Sequence, residues 1–352
     1  MAEIAAEEAK LNDTVVRYMM PVDPYHSIGG SPRLVKYNPE AITQVRRAQV
    51  STSVAVHFED VIARWAKERK RDRKAIQDLT TKVGRLADYV GHWDMARVSK
   101  ADAIAFKDHL VDEANLSSKS IGNYMKSLKS IFAFAFVNDK IASDPFFAVR
   151  YNGEANERLD FTTEDRRTIL TMARSEGPAI MWLNWLASFG GERLAELADV
   201  HTLDVYPVGN IYVLNIREDN RSPDQTLKTK PSRRIVPLHS AVLEEGFISY
   251  VQGLPEGPLF PQIGLDSYGR RSGKISNVLS SWLRQKVGII DPRKPFYSHR
   301  HTVITMLRNA TTVKEDVERY LVGHARAGEH GNYGEYNIPP LRDAIEVIPN
   351  PL

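Results

Sequence analysis

The 352-residue chain contains no cysteine. That excludes disulfides, thiolate metal sites and cysteine nucleophiles together. No apolar run reaches the length needed to cross a bilayer, and Met1-Ala2-Glu3 opens an acidic, alanine-rich start unlike a signal peptide. The sequence therefore predicts a protein that stays in the compartment where it is made, with no membrane partner. His299, His301, His324 and His330 crowd one part of the chain, yet no His-Glu-x-x-His spacing occurs. His299 and His301 would also diverge on a helix, so neither a metal site nor a cofactor is expected. Net charge is only +3, too little on its own to argue for a polyanionic partner. No internal repeat or low-complexity tract is present.

Hydrophobic content of 42% and charged content of 26% belong to an ordinary globular protein, long enough for two or three domains. Residues 1–52 are punctuated by Pro21, Pro24, Gly29, Gly30, Pro32 and Pro39 and read as an arm or tail. From Phe58 the period becomes helical. Phe58, Val61, Ile62 and Trp65 share one face; Leu79, Val83, Leu86 and Val90 share another. Ser99 with Asp102 has the form of a capping box ahead of Ala103, Phe106 and Leu110. Ser117 starts a fourth predicted helix with Ile121, Tyr124, Leu128, Ile131 and Ala135 on one face, ended by Asp144-Pro145. These make a compact all-α domain over residues 53–150. Residues 151–160 are polar and aperiodic and read as a linker.

Residues 161–352 read as helices, a small antiparallel sheet, then helices again, a mixed α+β but mainly helical domain. Thr162, with Glu164 and Asp165, starts its first helix. Ile211 to Ile216 alternates like a strand, and Leu227 to Leu238 holds two strand candidates around Pro231-Ser232. Basic residues are in excess only between 51 and 150, with 17 Lys+Arg against 13 Asp+Glu. The densest run is Lys67, Arg69, Lys70, Arg71, Arg73 and Lys74, a pattern most often met at a solvated helix end.

Five residues fall in local frames along the C-terminal half. Arg193 lies in Gly191-Glu192-Arg193-Leu194-Ala195-Glu196-Leu197, Lys228 in Leu227-Lys228-Thr229, and Arg300 in Arg300-His301-Thr302. His324 ends Leu321-Val322-Gly323-His324, and Tyr333 follows nine residues later. Two guanidiniums, an ammonium, an imidazole and a phenol suit one task, gripping a phosphodiester and attacking its phosphorus without a metal. Glu196, one turn beyond Arg193, can orient its guanidinium, although Arg-x-x-Glu is most often a surface ion pair.

In these frames the segment resembles the catalytic domain of the tyrosine recombinase (phage integrase) family. The match extends to Leu197 and Asp204 and covers roughly residues 160–352. The preceding helices resemble the family's core-binding (SAM-like) domain. The resemblance implies that Arg193 and Arg300 clamp the scissile phosphate and Tyr333 is the nucleophile. Tyr336 is the rival phenol. Lys228 would protonate the departing 5′ oxygen, with Lys230 its rival two residues along on the same strand face. His324 would assist proton transfer. One position departs from the pattern: the usual His-x-x-Arg-His-Thr reads Tyr297-Ser298-His299-Arg300-His301-Thr302, with a phenol in place of the first imidazole.

The resemblance also implies a partner, double-stranded DNA carrying a specific attachment-type site, bound by a homotetramer. The basic run, with Lys119, Lys126, Lys230 and Arg233, becomes a set of candidate backbone contacts. Integration or excision of a phage or genomic island is the implied role, in the cytoplasm at the nucleoid of a bacterium or phage-infected host. Dimer resolution of chromosomes or plasmids, a type IB-like topoisomerase and a non-catalytic DNA-binding relative remain alternatives. The helix after Tyr333 is expected from Ile338 to Ile348, where it could dock on a neighbouring subunit.

Overall fold

The computed structural model describes residues 55–112, 116–153, 157–217, 233–324 and 337–352. The predicted arm, Lys228, Lys230, His330, Tyr333 and Tyr336 lie outside the described residues. The described residues belong to one compact unit, Ser53–Leu352.

Four helices come first, the last three started by a capping side chain, Asp72, Ser99 and Ser117. α1 (Phe58–Glu68) buries Phe58, Val61, Ile62 and Trp65. α2 (Arg73–Val90) starts where the Asp72 carboxylate accepts the Ala75 N–H at 2.7 Å, and it buries Leu79, Val83, Leu86 and Ala87. Val90, its last residue, is only half-buried. α3 (Lys100–Asp112) has the reciprocal cap expected of Ser99 and Asp102. In α4 (Ser118–Val137) the buried stripe runs through Met125 rather than Tyr124, whose ring meets the cations of Lys82 and Arg85. This helix ends before Asp144-Pro145. Asn138 turns its side-chain amide onto the Phe134 carbonyl at 3.0 Å, and Asp139 takes a left-handed φ of 53°. Asp144 instead accepts the Phe146 N–H in the following turn, and burial raises its carboxyl to about 6.

A separate core begins at Phe161. α5 (Thr163–Ala173) opens on a capping box between Thr162 and Asp165. α6 (Pro178–Gly190) is apolar nearly all round and buried along most of its length, as a central helix must be. A short helix, α7 (Leu194–Ala198), leads into three antiparallel strands: β1 (Val205–Val208), β2 (Ile211–Ile216) and β3 (Arg234–Pro237), in the order β1-β2-β3. β1 was not expected. It pairs with β2 through a two-residue loop, with Val208 opposite Ile211 and Gly209 at φ 61°. Pro207 is tolerated because β1 is an edge strand. Of the two strands expected between Leu227 and Leu238, β3 is described and the first lies outside the described residues.

Helices close the core: α8 (Ser240–Glu244), α9 (Phe247–Gln252), α10 (Ser272–Gln285), α11 (Ser298–Asn309), α12 (Glu315–Leu321) and α13 (Ile338–Ile345). α13 stops three residues short of the predicted Ile348. Its apolar face, Leu341, Ala344 and Ile345, is buried, and the helix packs against β3 and α12 of the same chain. The chain beyond it is tied down by Arg166 to the Pro349 carbonyl (2.9 Å), Arg167 to Pro351 (2.8 Å) and His239 to Ile348 (2.9 Å).

α6 and α11 meet at Gly191. This glycine ends α6 at φ 69°, and a Cβ there would lie 2.8 Å from Val303 Cγ1. Gly191→Ala therefore combines left-handed strain with overpacking and should cost roughly 2 kcal/mol or more. Thermal denaturation should show a melting point several degrees lower; an unchanged one would refute this account of the α6–α11 contact.

Candidate active site

The end of α12 organises the site. A helix leaves its last carbonyls without partners and carries partial negative charge there. Three successive carbonyls at this end each accept a hydrogen bond from a different arginine. Leu321 O accepts from Arg234 Nε at 2.7 Å, Val322 O from Arg300 Nη2, and Gly323 O from Arg193 Nη2 at 3.2 Å. The three arginines come from β3, α11 and the start of α7. Arg300 also donates to Gly191 O at 2.8 Å, which ties the end of α6 into the same cluster. Gly323, at φ 65°, admits the crossing guanidinium, since a Cβ there would lie 2.7 Å from Arg234 Nη1.

Glu196 binds two of the three cations. It accepts from Arg193 Nη1 at 2.7 Å, from Arg234 Nη2 at 2.9 Å and Nη1 at 3.3 Å, and from the Arg193 backbone N–H at 2.8 Å. Burial alone would raise this carboxyl, but Arg234 and then Arg193 bring it down to about 2. Glu192 is the opposite case. It is 3% exposed, its Oε2 has no hydrogen-bond partner, and burial pushes its carboxyl up to about 7 despite Arg234 and Arg300. Arg300 is 1% exposed and brought down to about 10, by burial first and by Arg193 second, so it stays a cation at neutral pH. His324 follows the gripped carbonyls directly. Burial, then Arg300 and Arg193, lower its imidazole to about 4, leaving a neutral ring with one donor and one acceptor nitrogen.

Tyr297 immediately precedes α11 and is half-buried, with its ring edge-on to His301 at 5.2 Å. His299 points the other way. Its Nε2 donates to Asn184 Oδ1 at 3.0 Å and its Nδ1 accepts from Ser188 Oγ at 2.9 Å, in the tautomer those partners allow. It is a fully satisfied core histidine, held neutral by burial, and does not replace the imidazole missing at Tyr297. Among the described residues, no group of His, Cys, Asp and Glu could hold a metal ion.

No family model matches this chain, and no curated protein matches it in sequence. Solved structures do. A lambda integrase dimer bound to a COC′ core site aligns with a TM-score of 0.58 at 15% identity, over 86% of this chain and 84% of that one. The fold is that of the tyrosine recombinases. The same integrase as a tetramer bound to a Holliday junction gives 0.58 at 16% identity, over 85% and 81%. The Tn1549 transposon integrase in complex with transposon right-end DNA gives 0.55 at 17% identity, over 83% and 99%.

Within this recombinase fold, Arg193, Glu196, Arg300 and His324 come together, with Tyr297 beside Arg300, while Lys228 and Tyr333 lie outside the described residues. Asp204 does not join them; it binds Arg217 and the His201 N–H. Lys67, Arg69, Lys70, Arg71, Arg73 and Lys74 are all exposed around the turn from α1 to α2, where Arg71 stacks on Trp65. Lys119 and Lys126 are exposed on α4, and Arg233 is exposed just before β3. Two members of the cluster were not anticipated, Arg234 and Glu192. Strand alternation points to the first, because Arg234 shares the buried face of β3 with Val236 while Arg233 lies outside. Among the described residues no helix is long and apolar enough to cross a membrane.

Glu192 gives the cluster a pH signature. Its carboxyl stands at about 7 when folded, against 4.5 for a free glutamate. The stability it contributes is present below the lower value and is lost as pH rises through the upper one. Glu192→Gln removes that loss. Its melting point relative to wild type should rise by about 2–4 °C or more between pH 5 and pH 8. A difference that stays the same across that range would contradict the assignment.

Proposed function

We propose that the chain is a site-specific DNA recombinase that cleaves and rejoins strands through a covalent 3′-phosphotyrosine. The observation that carries this reading is the cluster of Arg193, Arg300 and His324 fixed on one helix end, in a fold shared with integrases solved on DNA. Arg193 and Arg300 neutralise the non-bridging oxygens of the scissile phosphate, so an incoming phenolate is not repelled. Tyr333 forms the new P–O bond as the bond to the 5′ oxygen breaks, and Lys228 gives the leaving oxygen its proton. Neutral His324 has a lone pair to take the phenol proton or an N–H to donate to a phosphate oxygen. The same steps run in reverse when a 5′ hydroxyl, from this or a partner duplex, attacks the phosphotyrosine. Bond energy is kept in the protein–DNA link, so the reaction as proposed uses no metal and no nucleotide.

The partner is double-stranded DNA with an attachment-type site. The exposed basic run at the α1–α2 turn, with Lys119, Lys126, Lys230 and Arg233, would supply backbone contacts. A homotetramer on DNA is the proposed assembly, as lambda integrase forms on a Holliday junction. The boundary between a DNA-clasping helical domain and the catalytic domain is placed at residues 151–160. Integration or excision of a phage or genomic island, at a bacterial nucleoid, is the role we favour.

Covalent trapping on a nicked suicide duplex tests the chemistry. Tyr333→Phe should abolish the trapped complex with binding almost unchanged, because only the reacting oxygen is lost, and Tyr336→Phe should still trap. Loss of trapping in Tyr336→Phe but not Tyr333→Phe would place the nucleophile at the other phenol. No trapping by the wild-type chain on a duplex it binds would reject strand cleavage itself.

A further inference from the structure

Residues 157–161 lie along the start of α11 and are held there. The Leu159 N–H donates to the Arg293 carbonyl at 3.0 Å, and the Leu159 carbonyl accepts from Ser298 Oγ at 2.6 Å. The Phe161 N–H donates to Thr302 Oγ1 at 2.8 Å. This fixed backbone places the exposed Arg158 with its guanidinium carbon 4.6 Å from the centroid of the Tyr297 ring. Among the described residues the guanidinium packs on that ring and has no hydrogen bond or ion pair to a carboxylate.

Stacking on a ring uses the face of a guanidinium and leaves its five N–H donors unspent at the edge. The ring that holds Arg158 is also within electrostatic reach of Arg300, and His301 beside it feels Arg158 and Arg300 together. A cation with unspent donors, set against a cluster already rich in arginine, is repelled by its neighbours unless an anion is shared among them. The phosphodiester proposed above is such an anion. Where the resemblance leads one to expect an imidazole, this chain has an aromatic face, and an aromatic face is what positions an arginine.

We propose that Arg158 is a further phosphate-binding arginine, held over Tyr297 so that its edge meets the phosphodiester clamped by Arg193 and Arg300; this rests on the strand-cleavage reading. Arg158 then contacts substrate, and Tyr297 is its positioning residue through the ring rather than the hydroxyl.

The test uses the full chain and a duplex selected for binding from a random-sequence pool, nicked to trap the covalent complex. Single-turnover trapping should fall at least about tenfold in Arg158→Ala, since one preorganised donor is commonly worth ~10²–10³ in rate and this one is partly solvated. Arg158→Lys should lie between that variant and wild type. Tyr297→Phe keeps the ring and should stay within about threefold of wild type, whereas Tyr297→Ala should match Arg158→Ala, with the double variant no slower than the worse single. The salt dependence of binding should weaken by about one phosphate contact in Arg158→Ala and Tyr297→Ala, but not in Tyr297→Phe. Wild-type trapping by Arg158→Ala, or defects that multiply in the double variant, would overturn the proposal. If the wild-type chain binds the duplex without trapping, the cleavage reading fails by itself, and the salt slope decides Arg158: a drop of about one supports a phosphate contact, and an unchanged slope rejects it.

Discussion

Three arginines on three consecutive carbonyls hold this site together. Leu321, Val322 and Gly323 present the negative end of α12, and Arg234, Arg300 and Arg193 reach them from β3, α11 and the α6–α7 turn. Each element is far from the others in sequence, so the carbonyls act as a common anchor that fixes the arginines relative to one another. Gripping neutral carbonyls occupies part of each five-donor fork while leaving the charge in place. The helix end therefore packs guanidiniums close together without cancelling them, which a carboxylate anchor could not do.

Charge balance sets how close those cations can come. Glu196 is ionised at any ordinary pH and is shared between Arg193 and the fully buried Arg234. Removing one partner of such a buried pair leaves an uncompensated charge, typically a loss of ~3–5 kcal/mol. Glu192 is held largely protonated below neutral pH because burial outweighs the nearby arginines. The cluster thus keeps an excess of positive charge, which suits an anion and adds to burial in lowering the neighbouring His324 imidazole. Tyr297 adds a surface on which an arginine from the preceding segment rests.

Much of this was legible in the sequence because the signals are local. Ser99-Asp102, Ser117 and Thr162-Asp165 start helices through hydrogen bonds that span three residues, and the stripe from Phe58 to Trp65 is one helical face. The frames single out Arg193, Glu196, Arg300 and His324, which the fold brings together at the end of α12. What escaped was decided by tertiary neighbours. β1 is short and contains Pro207, although the Gly209-Asn210 pair before Ile211 carries a hairpin signal. Strand alternation groups Arg234 with Val236 and sets Arg233 apart, but it is the pairing of β3 with β2 that turns that face inward. Glu192 lies in the Arg193 frame without a role assigned to it there; in the fold it is 3% exposed, with its carboxylate against Gly190 at the end of α6. Hydrophobic residues continue past α13 to Ile348, but there they form a turn whose Ile348 carbonyl is bonded to His239.

The central claim is that the guanidiniums of Arg193 and Arg300 act on a phosphate in the transition state. Single-turnover cleavage of a suicide duplex by Arg193→Lys and Arg300→Lys measures this most directly, because lysine keeps the charge and loses the planar fork. The account predicts that cleavage falls by about 10²–10³ in each variant while duplex affinity changes only a few-fold. Cleavage close to the wild-type rate in both variants would contradict it.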